Sequence, residues 1–288
     1  MAGLPPFGGL PREFTNFETA AVALLPIPFD LTSTWGKGAD EGPLALLKAS
    51  QYLEFYDPET GTEAYRHGIA TCEQVIAMDS KSMIAEGREA AGRILEAGKL
   101  PVTLGGEHSV SQGPVEAVAQ RCPDLGVLHL DAHSDRRDTY EDSRYSHACI
   151  VSRIKETVKP PVVSVGVRSM DSSELPSVRE DEVYYASEIQ KSATWMDESV
   201  DLLRDDVYVT IDLDVLDPSQ MPATGTPEPG GLDWYEVTGL LKTLARRKRV
   251  VGFDIVELCP DGQRHPPFLA AKLLYTFLSY IHAYQRKA

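Results

Sequence analysis

Gly126-Val127-Leu128-His129-Leu130-Asp131-Ala132-His133-Ser134-Asp135 is the stretch on which the reading of this chain turns. A short apolar run, bounded by glycine and ending in charge, suits a strand covered on both faces. If the backbone stays extended past Leu130, period-two geometry puts Asp131, His133 and Asp135 on one face. His129 is expected on the opposite side, without a part in binding metal. Two carboxylates and an imidazole at the end of a buried strand are costly to desolvate unless something cationic compensates. A solvated turn would explain one such residue, but not three in phase.

Working outward, runs of the same kind recur at Ala21–Ile27, Ile69–Ile76, Pro101–Leu104, Val162–Val167, Val183–Ala186, Val207–Leu213 and Val250–Val256. Segments of helical period lie between many of them: Ser80–Lys99, Ser187–Arg204, Trp234–Arg247 and, last, Pro266–Gln285. Alternating strands and helices predict a mostly parallel sheet with helices on both faces. No repeat, low-complexity tract or linker interrupts residues 1–288, so the expectation is a single domain. In such open sheets ligands gather at the carboxyl ends of the strands, which directs attention to the residues just beyond each one.

Two further strand ends carry chemistry. Thr210-Ile211-Asp212-Leu213-Asp214-Val215-Leu216-Asp217-Pro218 again places two carboxylates, Asp212 and Asp214, on one face, with Asp217 read as a turn or supporting residue. Gly105-Gly106-Glu107-His108 follows the Pro101–Leu104 strand, and its glycines allow the tight turn that would face His108 into a crevice. Glu107 is assigned to turn capping or local pairing, not to metal. His108, Asp131, His133, Asp135, Asp212 and Asp214 together supply four carboxylates and two imidazoles. That donor set balances two divalent cations, and without thiolates it favours a harder ion such as Mn²⁺ over structural zinc. Two ions sharing one water can generate hydroxide near neutral pH, so the chemistry indicated is metal-assisted hydrolysis.

Five ordered motifs carry a resemblance. They are Gly105–His108, Asp131–Asp135, Asp212–Pro218, Pro222-Ala223-Thr224-Gly225-Thr226-Pro227 and Gly252-Phe253-Asp254-Ile255-Val256-Glu257. Together they resemble the ureohydrolase family of arginases and agmatinases, with a fainter likeness to the short prokaryotic agmatinases from Gly36 to Pro43. The resemblance implies a three-layer α/β/α fold with an eight-stranded mostly parallel sheet, two Mn²⁺ per subunit and a homotrimer or homohexamer. It further implies that His108, Asp131, Asp135 and Asp212 hold one ion, and Asp131, His133, Asp212 and Asp214 the other. Asp131 and Asp212 would then bridge. Glu257 would clamp the substrate guanidinium, His147 would shuttle a proton to the leaving amine, and Thr226 would help hold the substrate. The implied reaction is hydrolysis of a guanidino compound to urea and an amine, with agmatine giving putrescine as the leading case. Where arginases grip the amino-acid head of arginine, this chain has Ser143-Arg144-Tyr145-Ser146-His147-Ala148-Cys149, which counts against arginine. Guanidinobutyrate, aminopropylagmatine, formiminoglutamate and, less favoured, arginine remain as alternative substrates. A catalytically silent binding or regulatory homologue is the rival from another class. A binuclear phosphoesterase is disfavoured because the Gly-Gly-Glu-His element comes first.

The formal charge of −15 suits solubility and attraction of a cationic substrate. No basic stripe offsets it, which argues against nucleic acid; Arg246–Arg249 falls where a helix should end, and cations favour that end of its dipole. The chain shows neither a secretory signal nor a run long enough to span a membrane. Four dispersed cysteines read as reduced thiols of a cytoplasmic protein, with Cys149 packed rather than nucleophilic.

Overall fold

Every strand of the sheet pairs in parallel with its neighbours, and parallel pairs can be joined only by long crossovers. A computed structural model describes residues 4–158, 161–179 and 182–285; the first three residues of the N-terminal stretch lie outside these. The strands are β1 (Val22–Ile27), β2 (Ile69–Thr71), β3 (Leu100–Gly105), β4 (Leu125–Leu130), β5 (Val162–Val167), β6 (Val183–Tyr185), β7 (Asp206–Asp212) and β8 (Arg249–Val256). They form one eight-stranded sheet in the order β2-β1-β3-β8-β7-β4-β5-β6. The longer helices are α2 (Gly42–Ser50), α3 (Ser80–Glu96), α4 (Gln112–Ala119), α5 (Ile150–Thr157), α7 (Trp195–Leu202), α8 (Trp234–Arg247) and α9 (His265–Tyr284), with single turns α1 (Arg12–Thr15) and α6 (Ala186–Ile189). Helices α3, α4 and α5 pack side by side on one face of the sheet, and α2, α9, α8 and α7 on the other. The result is the expected three-layer α/β/α arrangement.

Burial explains why the strands read as unbroken apolar runs: every residue of β1, β4 and β5 is buried. Helix starts follow the capping rules. The Asp79 carboxylate accepts the Ser82 amide at the head of α3, and Asp233 with Glu236 forms a reciprocal capping box at α8. Arg246 and Arg247 occupy the last turn of α8, Arg247 pairs with Asp197 at 2.9 Å, and Arg249 pairs with Asp206. The basic run is therefore absorbed by the fold.

Two expected elements differ. The strand expected to run to Ile76 stops at Thr71, because exposed Glu73 and Gln74 break the pattern at the sheet edge. Only Cys72 and Val75 still donate to β1, at 2.8 and 2.9 Å. The helix expected over Ser187–Arg204 is split into α6 and α7. Between them the Ser192 hydroxyl accepts the Thr194 amide, a local bond that competes with helix continuation. Among the described residues no helix is long and apolar enough to cross a membrane.

Candidate active site

Four strands that are adjacent in the sheet, β3, β8, β7 and β4, present their carboxyl ends side by side. Neighbouring strands lie about 4.8 Å apart, so the residue after each one is within reach of the next. His108 follows β3, Glu257 follows β8, Asp212 and Asp214 close β7, and Asp131, His133 and Asp135 follow β4. The β3 turn is possible only with glycine. A Cβ on Gly106 would sit 1.9 Å from the Phe29 carbonyl oxygen.

The alternation expected beyond the strands does not persist. β4 ends at Leu130, and Asp135 adopts a left-handed backbone with φ of 51°. β7 ends at Asp212, whose carboxylate caps a tight turn by accepting the Asp214 amide at 2.8 Å. Hydrogen bonds, rather than pleat, aim the side chains. In Asp212 and Asp214 one oxygen is held by a backbone amide, the latter by Ala132 N–H at 2.9 Å. The other oxygen in each faces an imidazole.

All six sequence-selected residues converge. His108 Nδ1 lies 3.1 Å from Asp131, 3.5 Å from Asp135 and 3.3 Å from Asp212. His133 Nδ1 lies 2.9 Å from Asp214 and 3.5 Å from Asp131. Asp131 belongs to both groups, offering Oδ2 to the first and Oδ1 to the second. Burial alone would push the Asp131 carboxyl up, but the surrounding histidines overcome it and hold the group well below its usual range. Asp135 and Asp212 stay well above theirs, through burial and then the charges of Asp131 and Asp214 respectively. Both His108 and His133 are raised despite burial, because carboxylates surround them. Such a cluster is short of positive charge.

His108 provides the sharpest test of fit for a metal. Its Nδ1 is buried and makes no hydrogen bond, although three carboxylates face it. Its Nε2 lies 2.8 Å from Thr210 Oγ1, and that hydroxyl donates to Asp254 at 2.7 Å. A hydroxyl has one proton, so Thr210 accepts from His108 Nε2–H, and Nδ1 is turned toward the carboxylates. A positive charge between them, whether a proton on Nδ1 or a metal ion in its place, would satisfy both sides. The donor set, imidazole and carboxylate without thiolate, suits one or more divalent ions, and the residues fit. Thr210 and Asp254 were not picked out by sequence reasoning as supports. Replacing Thr210 with valine, similar in shape but without the hydroxyl, is expected to weaken one bound ion roughly 10- to 100-fold. Metal titration monitored by the free-ion concentration would show it; two ions held as tightly as in the parent would contradict the relay.

His129 requires a correction. It does not turn away: residues two apart on a strand share a face, and its Nε2 lies 2.9 Å from Asp131 Oδ2. Behind it, Ser164 Oγ is 3.1 Å from Nδ1 and receives a hydrogen bond from Arg136. Glu107 caps its turn as expected, accepting the Ser109 amide at 2.8 Å. Asp217 likewise supports a loop. Hydrogen bonds from Ser219 and from the Gly230 and Gly231 amides hold its pKa down to about 2. Burial pushes the Cys149 thiol up to about 11, which suits packing and not attack.

A cavity of about 250 Å³ opens above the cluster. His147, Thr226 and Glu257 all line it, as do Trp35 and Tyr140. Glu257 is buried, with a left-handed φ of 63°, and one carboxylate oxygen accepts the His108 amide at 2.7 Å. Burial, then Asp212 and Glu107, raise its pKa well above the usual range. A cation entering beside it would pull that pKa back down. His147 is driven down to about 4, chiefly by burial and then by His108 and His133, so its ring is neutral.

A parallel α/β/α sheet whose central strand tips gather carboxylates and imidazoles beneath an open cavity is the kind of site that can hold metal ions for hydrolysis. Comparison with known proteins makes this specific. Residues 20–279 match the Arginase family. The chain is 36% identical over 295 residues, 96% of each chain, to the N(1)-aminopropylagmatine ureohydrolase of Synechocystis sp.. It is 41% identical over 268 residues to the enzyme of that name from Thermus thermophilus, covering 91% of this chain and 90% of that one. The solved agmatine ureohydrolase of Thermoplasma volcanium superposes with a TM-score of 0.87 at 31% identity, covering 99% of this chain and 96% of that one. The chain belongs to the arginase family. It is a ureohydrolase of that family.

Proposed function

We propose that this protein cuts urea from the guanidino end of a linear polyamine-like cation, N(1)-aminopropylagmatine in the first place. The buried Glu257 carboxylate, opening onto the cavity beside the His/Asp cluster, carries the reading. A bidentate carboxylate–guanidinium pair supplies both energy and orientation. His108, Asp131, Asp135 and Asp212 would hold one Mn²⁺, and Asp131, His133, Asp212 and Asp214 the second. When bound, such a pair supplies a water activated near neutral pH and polarises the carbon it attacks. The chain's own residues do the rest. Glu257 fixes the guanidinium, Thr226 contributes to the wall that holds it, and His147 returns a proton to the leaving amine.

Two features favour a cationic tail over an α-carboxylate. Arg137, the guanidinium at the cavity wall, stacks on Tyr140 at 4.5 Å and faces Asp171 at 4.0 Å. Trp35 stands at the mouth with 84% of its surface exposed, an aromatic face for an ammonium group. The names of the relatives at 36% and 41% identity support the longer substrate; agmatine, acted on by the Thermoplasma volcanium enzyme, is the second reading. The same reading makes the protein a cytoplasmic homotrimer or homohexamer. Urea release from manganese-loaded protein should have kcat/KM at least tenfold higher for N(1)-aminopropylagmatine than for agmatine, with arginine and guanidinobutyrate far behind. A preference for agmatine would overturn the first reading. No urea from any guanidino compound would overturn both and leave a silent binding homologue.

A further inference from the structure

We propose that Thr32 is a positioning residue for the reaction, tying the buried Glu107 carboxylate to His147 and so deciding which ring nitrogen of His147 meets the substrate. The proposal rests on the reading of His147 as the proton donor and says what orients it.

Three loops far apart in the chain meet here: Thr32 beyond β1, Glu107 beyond β3 and His147 beyond β4. Glu107 is wholly buried, and the chemistry described above makes no use of it. Donors reach both of its oxygens. The Ser109 amide bonds Oε2 at 2.8 Å, and the hydroxyls of Ser109 and Thr32 bond Oε1, each at 2.9 Å. Glu107 thus acts as an acceptor, and the single hydroxyl proton of Thr32 is committed to it. Thr32 Oγ1 then has only lone pairs for His147. It accepts the His147 backbone amide at 3.0 Å, and His147 Nδ1 lies 3.3 Å away. Facing an oxygen with no proton to give, Nδ1 can hydrogen-bond Thr32 only by carrying the hydrogen itself. Ser146 Oγ, also 3.3 Å from Nδ1, can donate or accept and does not decide the matter.

With this bond the neutral ring of His147 keeps its proton on Nδ1, tied to Thr32, and leaves the free lone pair on Nε2 of a residue that lines the cavity. Nε2 is the atom that takes a proton from solvent and passes it to the nitrogen of the departing amine. The reversed tautomer would point a committed N–H at the substrate and leave the accepting nitrogen behind. Of the Gly-Gly-Glu-His element, the histidine serves the metal cluster and the glutamate, through Thr32, serves the proton path.

The test uses the full-length, metal-loaded enzyme. Thr32→Val keeps the shape and removes the hydroxyl. A displaced reacting group costs on the order of 10²-fold, so kcat is expected to fall about 10- to 100-fold, with KM within threefold and both ions retained. Thr32→Ser should recover kcat to within about threefold of the parent. The deciding comparison places Thr32→Val in a His147→Asn background, where it should cost nothing more. A multiplied loss there, a Thr32→Ser enzyme as slow as Thr32→Val, or parental kcat in Thr32→Val would overturn the proposal. A His147→Asn enzyme with near-parental kcat would overturn the proton-donor reading, and the proposal with it.

Discussion

Asp131→Ala is expected to leave a protein that retains neither metal ion after dialysis, with turnover down on the order of 10⁴-fold or more. The expectation follows from the way Asp131 is shared. Its Oδ2 faces His108, Oδ1 faces His133, and the group is completely buried. Removing it takes a negative charge from both halves of the cluster at once. Loss of any carboxylate that served one ion alone would spare the other. The substitution also strips His129 Nε2 of its partner, so a thermal melt should accompany the metal analysis to confirm that the chain folds. One ion still held tightly in the variant would contradict the shared role, and two would remove Asp131 from the centre altogether.

Glu257→Gln should behave in the opposite way, retaining both ions while losing most of its turnover. The amide keeps the shape and can still accept the His108 N–H, so the β3 turn and the cluster beneath it should stand. What disappears is the charge that matches a guanidinium. Losing one partner of a buried charge pair costs about 2–5 kcal/mol, roughly 30- to 5000-fold in kcat/KM. Steady-state kinetics with metal content measured in parallel would separate this from a damaged cluster. Parental kinetics would take Glu257 out of guanidinium binding.

The two substitutions probe residues whose visibility in the sequence differed. Asp131 stood out because an apolar run delivers it, and a charged cluster at the end of a buried strand requires a reason. Glu257 could be recognised only through its likeness to a family motif. On its own it reads as an acid after a strand, and nothing local signals that β8 lies between β3 and β7. Thr210 and Asp254 were invisible as supports for the same reason. They sit within two apolar strands, and only the pairing of β7 with β8 sets Thr210 beside Asp254 and both beside His108. His129 was misplaced although its two-residue spacing from Asp131 already put it on the same face. Its hydrogen bond to Asp131 makes the error consequential.

By itself the sequence determined the layers and the chemical inventory. Apolar runs of strand length, separated by segments of helical period, suffice for a parallel sheet clad in helices, because burial on two faces leaves that pattern in the chain. The six carboxylate and imidazole residues, placed just beyond strands, likewise declared a need for cations. Tertiary structure alone decided how they meet. The order of strands set four distant tips side by side, left-handed turns at Asp135 and Glu257 swung those side chains inward, and Thr32 came to rest between Glu107 and His147. Local periodicity records which face of an element is buried. It carries no information about which other element lies across from it, and the geometry of this site consists of such encounters.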